Sequence, residues 1–387
     1  MRSLSALQLG DTIGRFNMRM SPARVLLALL AFALVGPFAI NAQEIGSTFG
    51  PLPVFEFHSG FWINLHHTLY YEARLRLLAS NAGSMSGSPA TSQMKTMKDS
   101  STPLSPSEQI AWSTAVAYYA EKMAGKDLLF NNDMVLLKNE LGDLEDCADL
   151  SGARKKACDA GLPAALTRVL DEAAPVYRAH LWPEHDRANR QWVARVAPLI
   201  VQQGVDVSER LAFVYQTKWP AEKIRVDVSA YANNSGAYTT LDPLRVTISS
   251  TDPRNQGDRA FEVLFHEASH GIAEPVQQAI IRECRQREKA IPRDLWPALI
   301  LYTTGEVIQP MLASGGGKTR STSGGATGAG SGPVASTQSS RSTYTVREDL
   351  SQRGWDEYYA LLVRFWQPYL DGSAGYDDAI ARIVSSF

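Results

Sequence analysis

Apolar side chains recur at helical intervals over most of this chain and at every second position over one short stretch, which predicts helices interrupted by a small sheet. In 58–80, HSGFWINLHHTLYYEARLRLLAS, the positions Phe61, Leu65, Leu69, Leu75 and Leu78 fall near helical spacing, the mark of a buried helix. Residues 80–107 turn to Ser, Thr, Gly and Pro, which predicts a long flexible loop. From Glu108 to about Gln216 the helical period returns, broken by Pro163, Pro175, Pro183 and Pro198, and several packed helices are expected.

The period shortens after Lys223. IRVDVSAY (224–231) and LRVTISS (244–250) alternate apolar and polar residues, and GAYTTL follows the turn signal NNSG, so a small antiparallel sheet is expected. From Asp258 the pattern is helical again through RAFEVLFHEASHGIA, VQQAIIRECRQREKAI and LWPALILYTTGEVIQPML. Residues 313–343 are rich in Gly, Ser and Thr and are expected to be disordered, and 344–387 read as a helical C-terminal region. The resulting class is α+β, predominantly helical, with 43–220 as a helical N-terminal region carrying the loop and 221–312 as the part that holds the chemistry.

Composition narrows the function classes. With 387 residues, 44% hydrophobic and 20% charged, the chain is neither a coiled coil nor a collagen-like rod nor wholly disordered. A formal net charge of -2 and a pI near 6.4 supply no basic stripe for phosphates, so no nucleic-acid partner is expected. Residues 25–40, VLLALLAFALVGPFAI, carry no charge, follow Arg15, Arg19 and Arg24, and precede the small residue Ala42. This is signal-peptide order, and the run falls short of the roughly 20 apolar residues of a spanning helix. A signal peptide over 1–42, a secreted or periplasmic location and no stable membrane insertion after cleavage are therefore expected. In an oxidising compartment Cys147 and Cys158, flanking a short charged stretch, could close a small loop and leave Cys284 unpaired.

The chemistry is concentrated in His266-Glu267-Ala268-Ser269-His270, an HExxH sequence. On a helix of about 3.6 residues per turn, positions i and i+4 share a face, so both imidazoles can reach one ion. Glu267, beside the first histidine, can meet a water bound to that ion and take its proton as the water attacks a carbonyl. The flanks, Val263-Leu264-Phe265 and Gly271-Ile272, hold no charge and no proline.

In this wider form the segment resembles the extended motif of the zincin metallopeptidases, and the strand-strand-helix order before it is similar to their core. The resemblance covers about 220–312. It implies a zinc cofactor, a peptide or protein substrate, and a third zinc ligand downstream. HExxHxxGxxH is absent, which excludes the metzincin pattern. Glu274, Glu283 and Glu306 are the candidates; Glu306, in the apolar segment LILYTTGEVIQ, is favoured because gluzincins take a glutamate from a downstream helix and a carboxylate among Leu299, Leu301, Val307 and Ile308 needs a reason to be buried. His266, His270 and Glu306 are then the expected ligands and Glu267 the general base. Tyr302, Tyr344, His66 and His67 are candidate donors to the oxyanion or to a ligand, and GAYTTL or LRVTISS could offer an edge for an extended substrate. The competing expectation is a non-enzymatic envelope or secreted binding protein in which the HExxH segment is structural.

Overall fold

A computed structural model describes residues 52–80, 94–151, 158, 161–315 and 346–387. The expected signal peptide, most of the expected loop (81–93) and most of the low-complexity stretch (316–343) lie outside the described residues. No described helix is long and apolar enough to cross a membrane.

Strand β1 (Phe55–His58) leads into α1 (Phe61–Ser80), and helices α2 (Pro106–Lys122), α3 (Asn132–Asp143), α4 (Ala164–His180) and α5 (Trp182–Val214) follow. The helical pattern predicted these helices but misjudged two boundaries. The expected loop ends early, because Ser105 caps α2 and shares a capping box with Glu108. Pro175 and Pro198 do not break their helices: each lies inside one. A proline in a helix costs about 3 kcal/mol. Each helix buries several large apolar side chains, among them Leu166, Val169, Leu170 and Tyr177 in α4 and Trp192, Val193, Val196 and Ile200 in α5, at about 1.5–3 kcal/mol apiece. Packing outweighs the lost hydrogen bond. Pro163 and Pro183, in contrast, sit at helix starts.

The sheet continues with β2 (Ile224–Ser229), β3 (Ala237–Leu241) and β4 (Leu244–Ser249), in the spatial order β1-β2-β4-β3. It is mixed rather than antiparallel as expected: β1 and β2 are parallel, β2 and β4 are parallel, and only β3 runs against β4. Two things produce the difference. The four-residue strand FEFH stands apart from the other three, beyond the helical region, and β4 turns back from β3 to insert between β3 and β2.

Strand alternation gives the sheet two unlike faces. Phe55, Phe57, Val226, Val228, Val246 and Ile248 form an apolar face in one core with α5 and the C-terminal helices. On the opposite face, Asp227 is fully enclosed, 2.7 Å from the Arg225 guanidinium and 3.8 Å from Lys138 on α3. Arg225 also reaches Glu145 at 3.0 Å, and Glu145 accepts from His58 at 2.8 Å. Burial pushes the Lys138 ammonium down to about 8. α1 adds His67, whose ring nitrogens lie 3.1 Å from Ser229 Oγ and 3.1 Å from Tyr238 Oη.

Across the apolar face lies α6 (Asp258–Ser269), followed by α7 (Glu274–Gln286) and α8 (Leu295–Gly315). α8 continues to Gly315, beyond the point where disorder was expected to begin. The C-terminal region holds α9 (Val346–Gln352), α10 (Asp356–Leu361), a π-helical turn (Leu362–Trp366), α11 (Gln367–Leu370) and α12 (Tyr376–Ser385). Cys147 and Cys158 are disulfide-bonded, with Cα atoms 5.8 Å apart, and Cys284 is free and buried.

Gly305 is where α8 and α9 meet. A Cβ there would overlap Val346 Cγ2 and come within 3.3 Å of Glu262 Oε1 on α6. Gly305→Ala is accordingly expected to destabilise the fold by about 1–3 kcal/mol despite the better helix propensity of alanine, measured by urea unfolding.

Candidate active site

α6 is amphipathic in a way that fixes which residues stay available. Phe261, Leu264, Phe265 and Ala268 are buried in the core beneath the helix. The remaining side carries Glu262, His266 and His270, spaced i, i+4, i+8, one above the other. His270 closes the helix in right-handed geometry, so the two imidazoles stay one turn apart, with ring centroids separated by 5.0 Å. Leu244 at the start of β4 packs so closely on Gly271 that a Cβ there would lie 2.6 Å from its methyls, which holds the helix end against the sheet.

The electrostatics follow from burial. His266 is held well below the ordinary imidazole range, first by loss of water and then by the positive charges of its neighbours, including Arg353 and Arg259. His270 is pushed down to about 4 by the same burial, with Arg353 adding to it, and its ring meets Trp296 edge-on at 5.6 Å. Both imidazoles are neutral at pH 7, the form that donates to a metal. Nδ1 of His266 is enclosed without a hydrogen-bond partner.

The Glu267 carboxyl meets β3. Burial raises its carboxyl to about 7, against the opposing pull of the Thr239 hydroxyl and the charge of Arg353. Thr239 Oγ1 lies 2.8 Å from Glu267 Oε2 and 2.8 Å from the Glu267 carbonyl oxygen. The hydroxyl donates to both oxygens, its one proton shared between them in a three-centre bond. Glu262, one turn before His266, is likewise raised by burial to about 7.

The expected site residues fall into two groups. His266, Glu267 and His270 stand together. Glu306 is not gathered with them: among the described residues no three His, Cys, Asp or Glu side chains are grouped as a metal ion would require. α8 meets α6 at Gly305, beside Glu262, and Glu306 is the next residue on α8, near enough to help raise the Glu262 carboxyl. There Glu306 is half-buried, its carboxyl raised by burial and by Asp371. Tyr302 donates to Gln367 Oε1 at 2.6 Å and is committed to that bond. Glu274 is exposed at the start of α7, and Glu283 is paired with Arg287 at 2.6 Å. His66 and His67 are buried on the far side of the sheet, His66 against Tyr119 Oη at 3.0 Å. Tyr344 lies outside the described residues. LRVTISS is β4, flanked by β2 and β3, and offers no edge; β3 is the end strand, but Ala237–Thr240 are themselves buried.

Sequence reasoning missed Thr239 and Arg353. Thr239 could have been found from strand alternation, which puts it on the same face as Val246. No family model, curated protein or solved structure matches the chain.

The donor set fits a metal in part: two neutral imidazoles at the right spacing, one with an unpartnered nitrogen, without a grouped carboxylate. For the metal-free protein, Glu267 gives a signed prediction. Its folded carboxyl holds a proton that the unfolded chain releases near 4.5, so stability falls as pH rises from about 4.5 to about 7. Glu267→Gln removes this dependence and is expected to gain stability on wild type by up to about 3 kcal/mol between pH 5 and pH 8, read from urea midpoints at both pH values.

Proposed function

We propose that this chain is a zinc-dependent hydrolase of peptide bonds, exported from the cytoplasm, in which His266 and His270 hold the metal and Glu267 is the general base. The observation that carries the reading is the pairing of two neutral imidazoles, 5.0 Å apart, with an adjacent carboxyl raised to about 7. A proton-transfer group works best when its pKa lies near the working pH. Bound at these imidazoles, zinc would polarise the scissile carbonyl and acidify water.

The protein's own groups do the rest. Glu267, once deprotonated, accepts a proton from the attacking water and passes it to the leaving amine. Thr239 steadies the carboxyl between those transfers, because it can accept from the acid form and donate to the carboxylate. His266 and His270 remain neutral throughout, so they add no charge that would repel the metal. Glu306 is the third ligand that the zincin resemblance implies; the reading rests on the two histidines and does not need it.

Replacing Glu267 by Gln is expected to lower peptide hydrolysis by about 10²–10⁴-fold, the usual worth of a proton-transfer group. Cleavage of a mixed peptide library by the zinc-loaded chain, followed by mass spectrometry, checks this. Undiminished cleavage by the variant would remove the mechanism, and no cleavage by either protein would favour the non-enzymatic alternative.

A further inference from the structure

Three large apolar side chains border the end of the HExxH helix. Strand alternation places two of them. Thr239, whose hydroxyl meets Glu267, stands opposite Val246 across the β3–β4 ladder, and the next pair on that face is Leu241 opposite Leu244, about 7 Å further along. Leu244 meets α6 where it ends: a Cβ on Gly271, the residue after His270, would lie 2.6 Å from its methyls. Leu241 has no such cover and is 64% exposed, although Ala237, Val246 and Ile248 on the same face are buried in the core. The third is Trp296, in the first turn of α8. It is half-buried, and its ring is edge-on to His270 with centroids 5.6 Å apart.

A single exposed leucine is ordinary on a protein surface. Here each group is tied by a contact to the motif: Leu241 through its strand neighbour Thr239 to Glu267, Leu244 to Gly271 beside His270, and Trp296 to the His270 ring. Gly271 is itself exposed, so a chain can approach the helix end there. A peptide whose scissile bond lies at Glu267 and His270 therefore carries a flanking side chain against this border. Of the three side chains only the indole holds a hydrogen-bonding group, so the border favours apolar area and gives a charged side chain no partner.

We propose that Leu241, Leu244 and Trp296 form the subsite that selects the substrate, taking a large aliphatic or aromatic side chain on one side of the scissile bond, with Leu241 as the wall toward solvent. The inference rests on the hydrolase reading above and adds which peptides the site takes.

The test gives the zinc-loaded full chain a mixed peptide library and reads the residues on both sides of every cut by mass spectrometry. Leu, Ile, Met, Phe and Tyr are expected to exceed Ala, Gly and Asp about 10- to 100-fold at one flanking position, the usual discrimination of an apolar subsite. Leu241→Asn changes an exposed side chain and should leave the urea midpoint unaltered, which keeps folding out of the comparison. It is expected to lower the preference for large apolar residues over Ala by about 3- to 10-fold, and Trp296→Ala by at least as much. A merely structural role would lower all cuts together. A readout without turnover is calorimetry of the best-cut peptide on Glu267→Gln, with binding expected to weaken when Leu241→Asn is added. Cuts spread evenly over residue types in the wild type, or a preference unchanged in Leu241→Asn, overturn the inference and leave the hydrolase reading standing. So does a dimer in sedimentation that Leu241→Asn turns into monomer with the preference intact, since a second copy would then own the exposed leucine. If the wild type cuts nothing in the library, the hydrolase reading fails and this inference with it.

Discussion

Burial of α6 is the constraint on which the site depends. The helix lies on the apolar face of the sheet, its end is held where Leu244 meets Gly271, and α8 and α9 close on it at Gly305. Water is largely excluded from a segment that carries two histidines and two glutamates. Desolvation then sets the protonation of every one of them: both imidazoles are held neutral, and Glu262 and Glu267 are brought to about 7. The same sequence on an exposed helix would have cationic or mixed imidazoles near neutrality and an ionised glutamate, a poor starting point for binding a metal and for moving a proton.

Two faces of the sheet divide the labour. The face away from α6 buries a charged network around Asp227 and Lys138, in which Arg225, Glu145 and His58 satisfy one another. Buried ion pairs of this kind contribute little net stability, but removing one partner costs about 3–5 kcal/mol, so the network is effective at fixing where α1 and α3 sit on the sheet. The opposite face contributes a single polar group next to the HExxH helix, the Thr239 hydroxyl, and it is the one that meets Glu267. The fold thus keeps charge on the side where it orders the helices and keeps the other side apolar enough to tune the carboxyl.

Much of this was legible in the sequence. Period alone identified α1, the three later strands and the helices from Asp258 onward, because each buries a continuous face. HExxH spacing identified His266, Glu267 and His270 as neighbours, since four residues on a helix are one turn wherever the helix packs. What the sequence could not carry is phase between elements. It could not show that the short FEFH segment would pair with β2 across the helical region, turning an expected antiparallel sheet into a mixed one. Nor could it show that α8 would meet α6 at Gly305, with Glu306 set among Tyr302, Asp371 and Glu262 and not grouped with the two histidines.

The central claim is that the paired imidazoles of α6 form a metal-binding half-site, and metal stoichiometry tests it most directly. The full chain, stripped with a weak chelator and then titrated with zinc, is predicted to take up one zinc per chain, and His266→Ala to lose it. Glu306→Ala, titrated in parallel, reports whether that carboxylate joins them when the ion is present. Failure of the wild-type chain to retain zinc would contradict the account.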